Sequence, residues 1–433
     1  MPSRICDTIS CTLQPVPQPA LSRLSDHERP VGMHRWILGF AWGAWCTGFY
    51  SLTLLSFLLQ PIQNAFGLSE TDLAWLTGIG IGMSGVGGLL FGWMSDRFGR
   101  RASLAVSIAA FSLGNAACAV ATGFSGLLAA RALTGLGVGG TWGAGQAMLG
   151  ETFPPAWRGR YGALAQSGAP VGLGLAAIVG SFVAPAVGWR TVFLLSAAPI
   201  LVLLAWRWLP ESDLWTEHRR RLRAGAVDQP HARRPILAQL VAADLSGVFT
   251  KAFVLTILNI SAYWFAVVWL PRYLQKERGL PPGLWTLIFV AGSLLGYLSF
   301  GWISDVIGRR RAFTIYSAIL AAGVVMVTLF WNVLVAHPNF GFACMFIAGV
   351  GTGTWSSYGP FFSELFPTRV RGSAMSILMN VSRGVQFLTP LVIAGVAGRW
   401  GLAGGVALAA GFAALAGLWV WTLPETAGAR IEV

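Results

Sequence analysis

The feature that most constrains the fold is a series of twelve apolar segments, each long enough to cross a bilayer. A membrane-spanning helix needs about 20 apolar residues. Within lipid the backbone must satisfy its own hydrogen bonds, so we predict twelve α-helices, numbered as spans 1 to 12. Their predicted bounds are 36–59, 72–94, 102–122, 125–149, 161–184, 188–209, 251–273, 283–304, 312–335, 339–361, 373–397 and 400–423.

Composition supports a membrane protein rather than a soluble one. Hydrophobic residues make up 55% of the chain and charged residues only 11%, which is too little charge to cover a soluble surface. The lipid bilayer is therefore the expected surroundings. The predicted domains are an N-terminal tail, a first six-helix bundle, a linker, a second six-helix bundle and a C-terminal tail, at 1–35, 36–209, 210–250, 251–423 and 424–433.

The positive charges predict the orientation. We count 23 of the 30 Lys and Arg residues in the two tails, in the even-to-odd loops, or at span ends facing them. Positive charge is retained on the cytoplasmic side, so we predict that both termini are cytoplasmic, in a bacterial inner membrane. The net charge of +13 is then a topology signal, and we expect no nucleic-acid partner.

No catalytic or metal-binding pattern is present in the sequence. The five histidines lie in predicted tails and loops, and the five cysteines have no metal-type or disulfide-type spacing. We therefore predict that the protein is not an enzyme, has no cofactor and acts as a monomer.

Two pairs of matched loops reveal an internal repeat. Gly92-Trp-Met-Ser-Asp-Arg-Phe-Gly-Arg-Arg101 follows span 2, and a similar stretch from Gly301 to Arg310 follows span 8, 209 positions later. Glu151-Thr-Phe-Pro after span 4 matches Glu364-Leu-Phe-Pro after span 10, 213 positions later. Repeats in corresponding places predict two pseudo-symmetric bundles of six helices each.

These loops resemble the signature of the major facilitator superfamily, and the resemblance covers nearly the whole chain. Arg131-Ala-Leu-Thr-Gly-Leu-Gly137 is similar to that family's helix-4 motif. Pro-Glu-Ser after span 6 and Pro-Glu-Thr after span 12 resemble the sugar-porter-like branch. Gly188-Trp-Arg, with Asn380, Arg383 and Pro390, looks more like its organic-acid subgroups, the sialic-acid and aromatic-acid proton symporters.

The charged loops are predicted to form a gate. A carboxylate at Asp96 can pair with Arg100 or cap a helix of the opposite half. The resemblance implies that such contacts hold the outward-facing state; the alternative is that the charges only fix topology. The predicted gating residues are Asp96, Arg97, Arg100, Arg101, Glu151, Arg158, Asp305, Arg309, Arg310, Glu364 and Arg371.

Two arginines define the predicted substrate site. None of the 17 acidic residues lies in the middle of a span, but Arg131 and Arg383 do lie deep. Buried charge without a buried partner indicates a functional site, and an anionic small-molecule substrate would supply the partner. The alternative for each arginine is pairing with backbone carbonyls or water. Further predicted substrate-binding residues are Tyr50, Asn259, Tyr263, Tyr358 and Gln166.

The sequence departs from the resemblance in span 1. Related proton symporters carry aspartates there in a pattern like D-G-F-D, whereas this chain has Thr47-Gly-Phe-Tyr50. Inward movement of an anion against 100 mV costs about 2.3 kcal/mol, which favours coupling to the proton gradient. Either coupling runs through the bound anion or it is absent.

We therefore predict a permease for a small organic anion that works by proton symport and alternating access. Ser167-Gly-Ala-Pro170 in span 5 resembles a motif richer in antiporters and keeps an exporter of drugs or metabolites open. The two Pro-Glu motifs keep a sugar facilitator open, and a non-transporting receptor is a further alternative. Glycine clusters in spans 2 and 4 predict close helix packing rather than a phosphate-binding loop.

Overall fold

The structure is a computed structural model. It describes residues 24, 27–154, 161–162, 164–223, 245–332, 338–358, 360–366 and 368–426. Within these residues every regular element is helical. Arg158, one of the predicted gating residues, lies outside the described residues.

The first half contains seven described α-helices before the linker. Four long helices come first: α1 (Gly32–Phe66), α2 (Glu70–Phe98), α3 (Arg100–Val120) and α4 (Phe124–Thr152). The rest of this half is shorter and less regular. Its elements are α5 (Gly168–Ile178), a π-helical turn (Val179–Val183), α6 (Ala184–Val187), α7 (Trp189–Leu195) and two 3₁₀ turns (Ala198–Leu204 and Trp206–Trp208).

The second half follows a surface helix, α8 (Asp213–Arg223), which ends at the edge of the undescribed linker residues. Predicted spans 7 to 9 correspond to α9 with α10, to α11 and to α12. The bounds of all described elements in this half are α9 (Ser246–Val267), α10 (Leu270–Arg278), α11 (Pro282–Ile307), α12 (Arg309–Thr328), α13 (Pro338–Gly351), a 3₁₀ turn (Thr352–Tyr358), α14 (Pro360–Leu365), α15 (Thr368–Val385), α16 (Leu388–Trp419) and a 3₁₀ turn (Val420–Thr422).

These helices follow the predicted spans closely in sequence. Eight helical segments of the described chain are long and apolar enough to cross a membrane. Spans 6 and 10 are broken by 3₁₀ turns, and spans 11 and 12 meet in α16, where Gly401 interrupts the helix with a φ of +67°. The count of twelve crossings stays a prediction.

A capping box fixes the first turn of α2. The Ser69 hydroxyl accepts a hydrogen bond from the Asp72 amide (3.1 Å), and the Asp72 carboxylate accepts one from the Ser69 amide (2.9 Å). This reciprocal pattern satisfies amides that the helix cannot pair internally. Gly67 ends α1 in the left-handed region, with a φ of +63°. The chain therefore reverses direction between α1 and α2 within three residues.

Glycines bring α2 and α4 into backbone contact, which confirms the packing interpretation. A Cβ at Gly135 would collide with the Gly80 carbonyl oxygen, and a Cβ at Gly139 would collide with that of Ser84. Only glycine, which has no Cβ atom, allows the two helix backbones to come this close, and small residues are common where membrane helices pack.

The two halves meet along α2 and α15. Gly85 and Gly384 face each other so closely that a Cβ at Gly85 would collide with the Gly384 backbone. Farther along α2, Phe387 packs against Gly78 and Gly82. We call the membrane face at which α1 begins and α2 ends the proximal face, and the other the distal face.

Candidate substrate site and ion-pair clusters

Arg383 lies on α15 inside the bundle, and its side chain is 1% exposed. Neither its Nη1 nor its Nη2 atom has a hydrogen-bond partner among the described residues. The guanidinium stands over the ring of Trp45 on α1, 5.3 Å from the ring centroid. An aromatic face attracts a cation but accepts no conventional hydrogen bond. The two ends of the guanidinium are therefore available to an anion.

Aromatic side chains from both halves form a cluster that includes Trp45. Phe49 is 5.5 Å from Trp45 and 5.8 Å from Trp264 between ring centroids, so the contacts cross from α1 to α9. Tyr263 continues the cluster to Trp355 at 4.8 Å. We call these five residues, Trp45, Phe49, Tyr263, Trp264 and Trp355, the aromatic cluster.

The aromatic cluster also holds unpaired hydrogen-bond donors. The indole Nε1 atoms of Trp45, Trp264 and Trp355 are buried and have no partner within the described part of the chain. Buried polar groups without partners are rare in folded proteins and indicate a ligand, a water molecule or a functional role. Because an indole nitrogen only donates, the missing partner must be an acceptor.

Trp45 also lines a small cleft in the first half. Its lining includes Ala41, Gln146 and Ala165, on α1, on α4 and before α5. Trp45 borders this cleft and also covers Arg383. Trp45 is therefore the residue that connects this cleft to Arg383.

Arg131 has a different environment, although it is also 1% exposed. Its Nη1 atom donates to the Ser51 carbonyl oxygen (2.9 Å) and its Nη2 atom to that of Leu52 (3.2 Å). A Cβ at Gly80 would lie 3.1 Å from Nη2, so the glycine leaves room for the side chain. The sequence analysis left two possibilities for Arg131, an anionic substrate or backbone carbonyls. The structure shows backbone carbonyls as its partners.

The other predicted substrate-binding residues divide between the two halves. In the first half, Tyr50 shares a hydrogen bond with Ser196 (2.7 Å), and the Gln166 side-chain oxygen accepts one from Trp142 (2.8 Å). Both side chains thus have partners within their own half.

In the second half, Asn259 donates to the Thr354 hydroxyl (2.9 Å) and accepts from the Tyr358 hydroxyl (2.6 Å). This pair links α9 to the 3₁₀ turn at Thr352–Tyr358. Tyr263 is the predicted residue that belongs to the aromatic cluster. Tyr263 is linked through Phe49 to Trp45, the neighbour of Arg383, whereas Asn259 and Tyr358 pair with each other.

The predicted gating residues of the first half form an ion-pair cluster at the proximal face. Arg100 pairs with Asp96 (2.8 Å) and Glu151 (2.7 Å). Arg97 lies over the Trp93 ring, 5.7 Å from its centroid, and Arg101 lies over the Trp206 ring at 4.1 Å. These contacts connect α2, α3 and α4 within one half.

The second half repeats this arrangement. Arg309 pairs with Asp305 (2.6 Å) and Glu364 (3.1 Å), and Arg310 lies 3.7 Å from Glu425. Arg371 lies on α15, and its side chain is not among those described. Each of the proximal ion pairs of Arg100, Arg309 and Arg310 described here stays inside one half. The predicted gating contact between the two halves stays a prediction.

The glutamates of the two Pro-Glu motifs cap helices. Glu211 accepts hydrogen bonds from the amides of Arg100 (2.9 Å) and Arg101 (3.2 Å), at the start of α3. Glu425 accepts from the amides of Arg309 (2.9 Å) and Arg310 (3.1 Å), at the start of α12. A carboxylate is favourable at a helix N-terminus, where unpaired amides point outward. These motifs thus have a structural role in each half.

A second ion-pair cluster crosses between the halves at the distal face. Arg272 on α10 contacts both carboxylate oxygens of Glu70, at 2.6 Å and 3.1 Å, and also donates to Gln63 (2.7 Å). Lys276 adds a contact of 2.6 Å to Glu70. We call Gln63, Glu70, Arg272 and Lys276 the distal cluster. It joins α1 and α2 to α10.

Sequence reasoning missed Trp45 and the distal cluster. The chain has 20 tryptophans, and none of its local patterns singles out Trp45. Glu70 and Arg272 lie 202 positions apart at the ends of predicted spans, where charge is ordinary. The departure from the family pattern in span 1 lies on α1, the helix that also carries Trp45, but it did not single out that residue.

Comparison with known proteins places this architecture in a family. The model of the Major Facilitator Superfamily matches residues 40–296 and 282–432. The niacin transporter NiaP of Acinetobacter baylyi is 27% identical over 384 residues, covering 83% of this chain and 85% of that protein. The cis,cis-muconate transport protein of the same organism is 27% identical, covering 85% of this chain and 90% of that protein.

The fold is also similar to that of the xylose transporter XylE from E. coli in a partially occluded inward-open conformation. That comparison has a TM-score of 0.72 at 20% identity and covers 92% of this chain and 100% of the other. With the match to the family model along almost the full length, the chain is a multi-pass membrane transporter that belongs to the Major Facilitator Superfamily.

Proposed function

We propose that this protein carries a small organic carboxylate across the inner membrane by alternating access, with Arg383 as the residue that binds the carboxylate. One observation carries the proposal: the Arg383 guanidinium is 1% exposed, and both of its Nη atoms lack partners among the described residues. A carboxylate can accept both N–H groups in a bidentate, charge-assisted contact. It would also supply the charge that a buried guanidinium requires.

The proposal gives the two deep arginines different roles. Arg131 already donates to Ser51 and Leu52, so we assign it to holding α1 against α4. Arg383 then supplies the contact with the cargo, and the aromatic cluster supplies an apolar surface and indole donors. Ligand sites commonly combine an apolar lining with a few placed polar groups.

The names of the relatives support the cargo class. One relative is named for niacin and another for cis,cis-muconate, and both compounds are carboxylic acids. These substrates belong to those proteins. For this chain they suggest which compounds to test first.

Proton coupling and orientation are parts of the same proposal. Uptake of an anion against the membrane potential costs about 2.3 kcal/mol per 100 mV, so we propose symport with a proton. The charge distribution supports cytoplasmic termini, which makes the proximal face cytoplasmic. The protein would act as a monomer.

Transport by purified protein in liposomes tests the proposal. Wild-type protein is expected to take up labelled nicotinate, the anion of niacin, when the interior is alkaline. Arg383→Gln should abolish uptake, whereas Arg399→Gln, at an exposed position on α16, should retain it. Unimpaired uptake by Arg383→Gln would remove Arg383 from the site.

Transport assays with the purified protein in membrane vesicles also distinguish two alternative functions. Export of a drug or metabolite, prompted by the Ser167–Pro170 motif, predicts proton-driven accumulation in inside-out rather than right-side-out vesicles. A sugar facilitator predicts competition by sugars and none by carboxylates. Because Glu211 and Glu425 are engaged as helix caps, the two Pro-Glu motifs give the sugar alternative little support.

A further inference from the structure

We infer that His34 forms a pH-sensitive bridge between α1 and α4, which opens and slows the carrier as the proximal side becomes acidic. The predicted N-terminal tail ends at residue 35, but the structure places His34 in the first turn of α1, where it is 0% exposed. The bridge is independent of the proposed function, and only its effect on transport rests on that function.

The imidazole of His34 makes a hydrogen bond through each of its two nitrogen atoms. Its Nδ1 atom accepts from the Val31 amide (2.9 Å), and its Nε2 atom donates to the Thr152 carbonyl oxygen (3.2 Å). Val31 is the residue before α1, and Thr152 is the last residue of α4. The ring therefore joins the beginning of one helix to the end of another. We call this arrangement the His34 bridge.

The two partners require the neutral form of the ring. A backbone amide only donates, so Nδ1 must be free of a proton, and a carbonyl oxygen only accepts, so Nε2 must carry one. In a capping box, the same acceptor role at the third helical position belongs to Glu or Gln. Histidine differs from both because its charge commonly changes between about pH 5 and 8.

Protonation of the ring opens the bridge for two reasons. A proton on Nδ1 points at the Val31 amide, which then has no acceptor, and a positive charge at a helix N-terminus opposes the outward-pointing amides. Burial adds to this cost, because water cannot reach the charged ring. The His34 bridge is therefore complete at neutral pH and is lost as the pH falls, since the open arrangement binds the proton more readily.

The groups that face His34 offer it no carboxylate, as far as the described contacts go. From the preceding segment the His27 ring meets it edge-on at 6.2 Å between centroids, and at the end of α4 the Phe153 ring lies at 4.8 Å. Glu151, beside Thr152, is paired with Arg100 (2.7 Å). The other titratable or charged side chains on these stretches of chain are Glu28, Arg29 and Arg35, with Tyr161 packed against Phe153.

The position of the bridge connects it to transport. Thr152 directly follows Glu151 of the proximal ion-pair cluster, and α1 also carries Trp45, the neighbour of Arg383. Loosening the first turn of α1 therefore acts on the helix that contacts the proposed cargo-binding residue, and we expect slower transport. In a proton symporter, this response limits further entry of acid once the proximal side is acidic.

Hydrogen–deuterium exchange of the wild-type protein tests the bridge without any cargo. Relative to their intrinsic rates, the amides of residues 31–37 should exchange at least about fivefold faster at about pH 5.5 than at about pH 7.5, because the first turn loses a hydrogen bond. Residues 69–74 are the internal control, since their capping box uses Asp72, and a carboxylate stays ionised across this range. Equal pH responses of the two first turns would overturn the inference.

Matched variants extend the test to stability. His34→Gln keeps a neutral acceptor for the Val31 amide, as in a capping box. The fall in melting temperature between the two pH values should therefore be smaller than in wild type by several degrees. His27→Gln removes the neighbouring histidine and should behave like wild type. Identical melting profiles for wild type and His34→Gln would contradict the bridge.

Exchange of labelled nicotinate across liposome membranes, at equal pH on both faces, measures the effect on transport. The rate of wild type relative to His34→Gln should fall at least about threefold between the two pH values, and this ratio cancels any protonation of the cargo itself. A constant ratio would exclude the effect on transport. Absence of exchange in both proteins at both pH values would overturn the proposed function and that effect, while the cargo-free measurements would still decide the bridge.

Discussion

Two arginines that look equivalent in the sequence have different surroundings in the molecule. Charge in the middle of a span is visible from sequence, because burying it is costly, and it led to both Arg131 and Arg383. The acceptors of Arg131 could not be predicted, because backbone carbonyls of Ser51 and Leu52 leave no trace in residue type. Trp45 was missed for a similar reason, since its role comes from a contact between distant helices.

The arginine on α4 is expected to contribute to stability rather than to cargo affinity. Arg131→Met keeps the apolar stem but removes two charge-assisted hydrogen bonds, each worth about 1.5–3 kcal/mol. The melting temperature should fall by several degrees, while the Kd for nicotinate of the folded fraction should stay within about twofold. Thermal unfolding and calorimetric titration measure the two quantities. A large loss of affinity at unchanged stability would return Arg131 to the cargo site.

The arginine on α15 should show the opposite behaviour. Arg383→Gln is expected to weaken nicotinate binding at least ~30-fold, because truncating one member of a buried charge pair costs about 2–5 kcal/mol. Its stability without ligand should not fall, since the substitution removes an uncompensated buried charge. Arg383→Lys retains the charge and should show intermediate affinity. Calorimetric titration with nicotinate measures these affinities, with Arg399→Gln as the control.

At the scale of elements, hydropathy located the helices well but not their interruptions. Predicted spans 1 to 4 correspond to α1 to α4, because long apolar runs have few alternatives in a membrane. The π-helical turn at Val179–Val183 and the 3₁₀ turn at Thr352–Tyr358 were not predicted. Such departures from α-helix depend on packing and have no periodic signal.

The glutamate caps on α3 and α12 provide a prediction at this scale. Glu211→Ala should lower the free energy of unfolding by about 1–2 kcal/mol, because amides at the start of α3 lose their acceptor. Asp96→Asn is the contrasting variant, because its side chain is 80% exposed in an i,i+4 pair worth about 0.3–0.5 kcal/mol. Denaturation in matched detergent compares them. Equal stability of the two variants would contradict the capping role.

At the scale of the whole molecule, the Glu70–Arg272 ion pair joins the two halves at the distal face, whereas the Arg100–Glu151 and Arg309–Glu364 pairs each lie within one half at the proximal face. The two halves are therefore connected by an ion pair at the distal face. The internal repeat predicted two related halves, but it could not predict the distal cluster, because Glu70 and Arg272 have no matched counterparts in the repeat.

Weakening the distal cluster should open the distal face. Glu70→Gln removes the carboxylate that Arg272 and Lys276 share, so the population open at that face should increase. Spin labels at exposed positions Asn64 and Gln275, in a protein without native cysteines, would report a longer distance. Lys276→Gln leaves the buried Arg272 contact in place and should have a smaller effect. An unchanged distance distribution in Glu70→Gln would exclude this role.

The helix caps also bear on how the polypeptide could be divided. Glu211 caps α3 within the first half, and Glu425 caps α12 within the second half. Each half thus completes its own proximal end with its own residues, without needing covalent continuity. Two separate polypeptides, cut between 224 and 244 and produced in the same cell, should therefore still assemble into a working carrier.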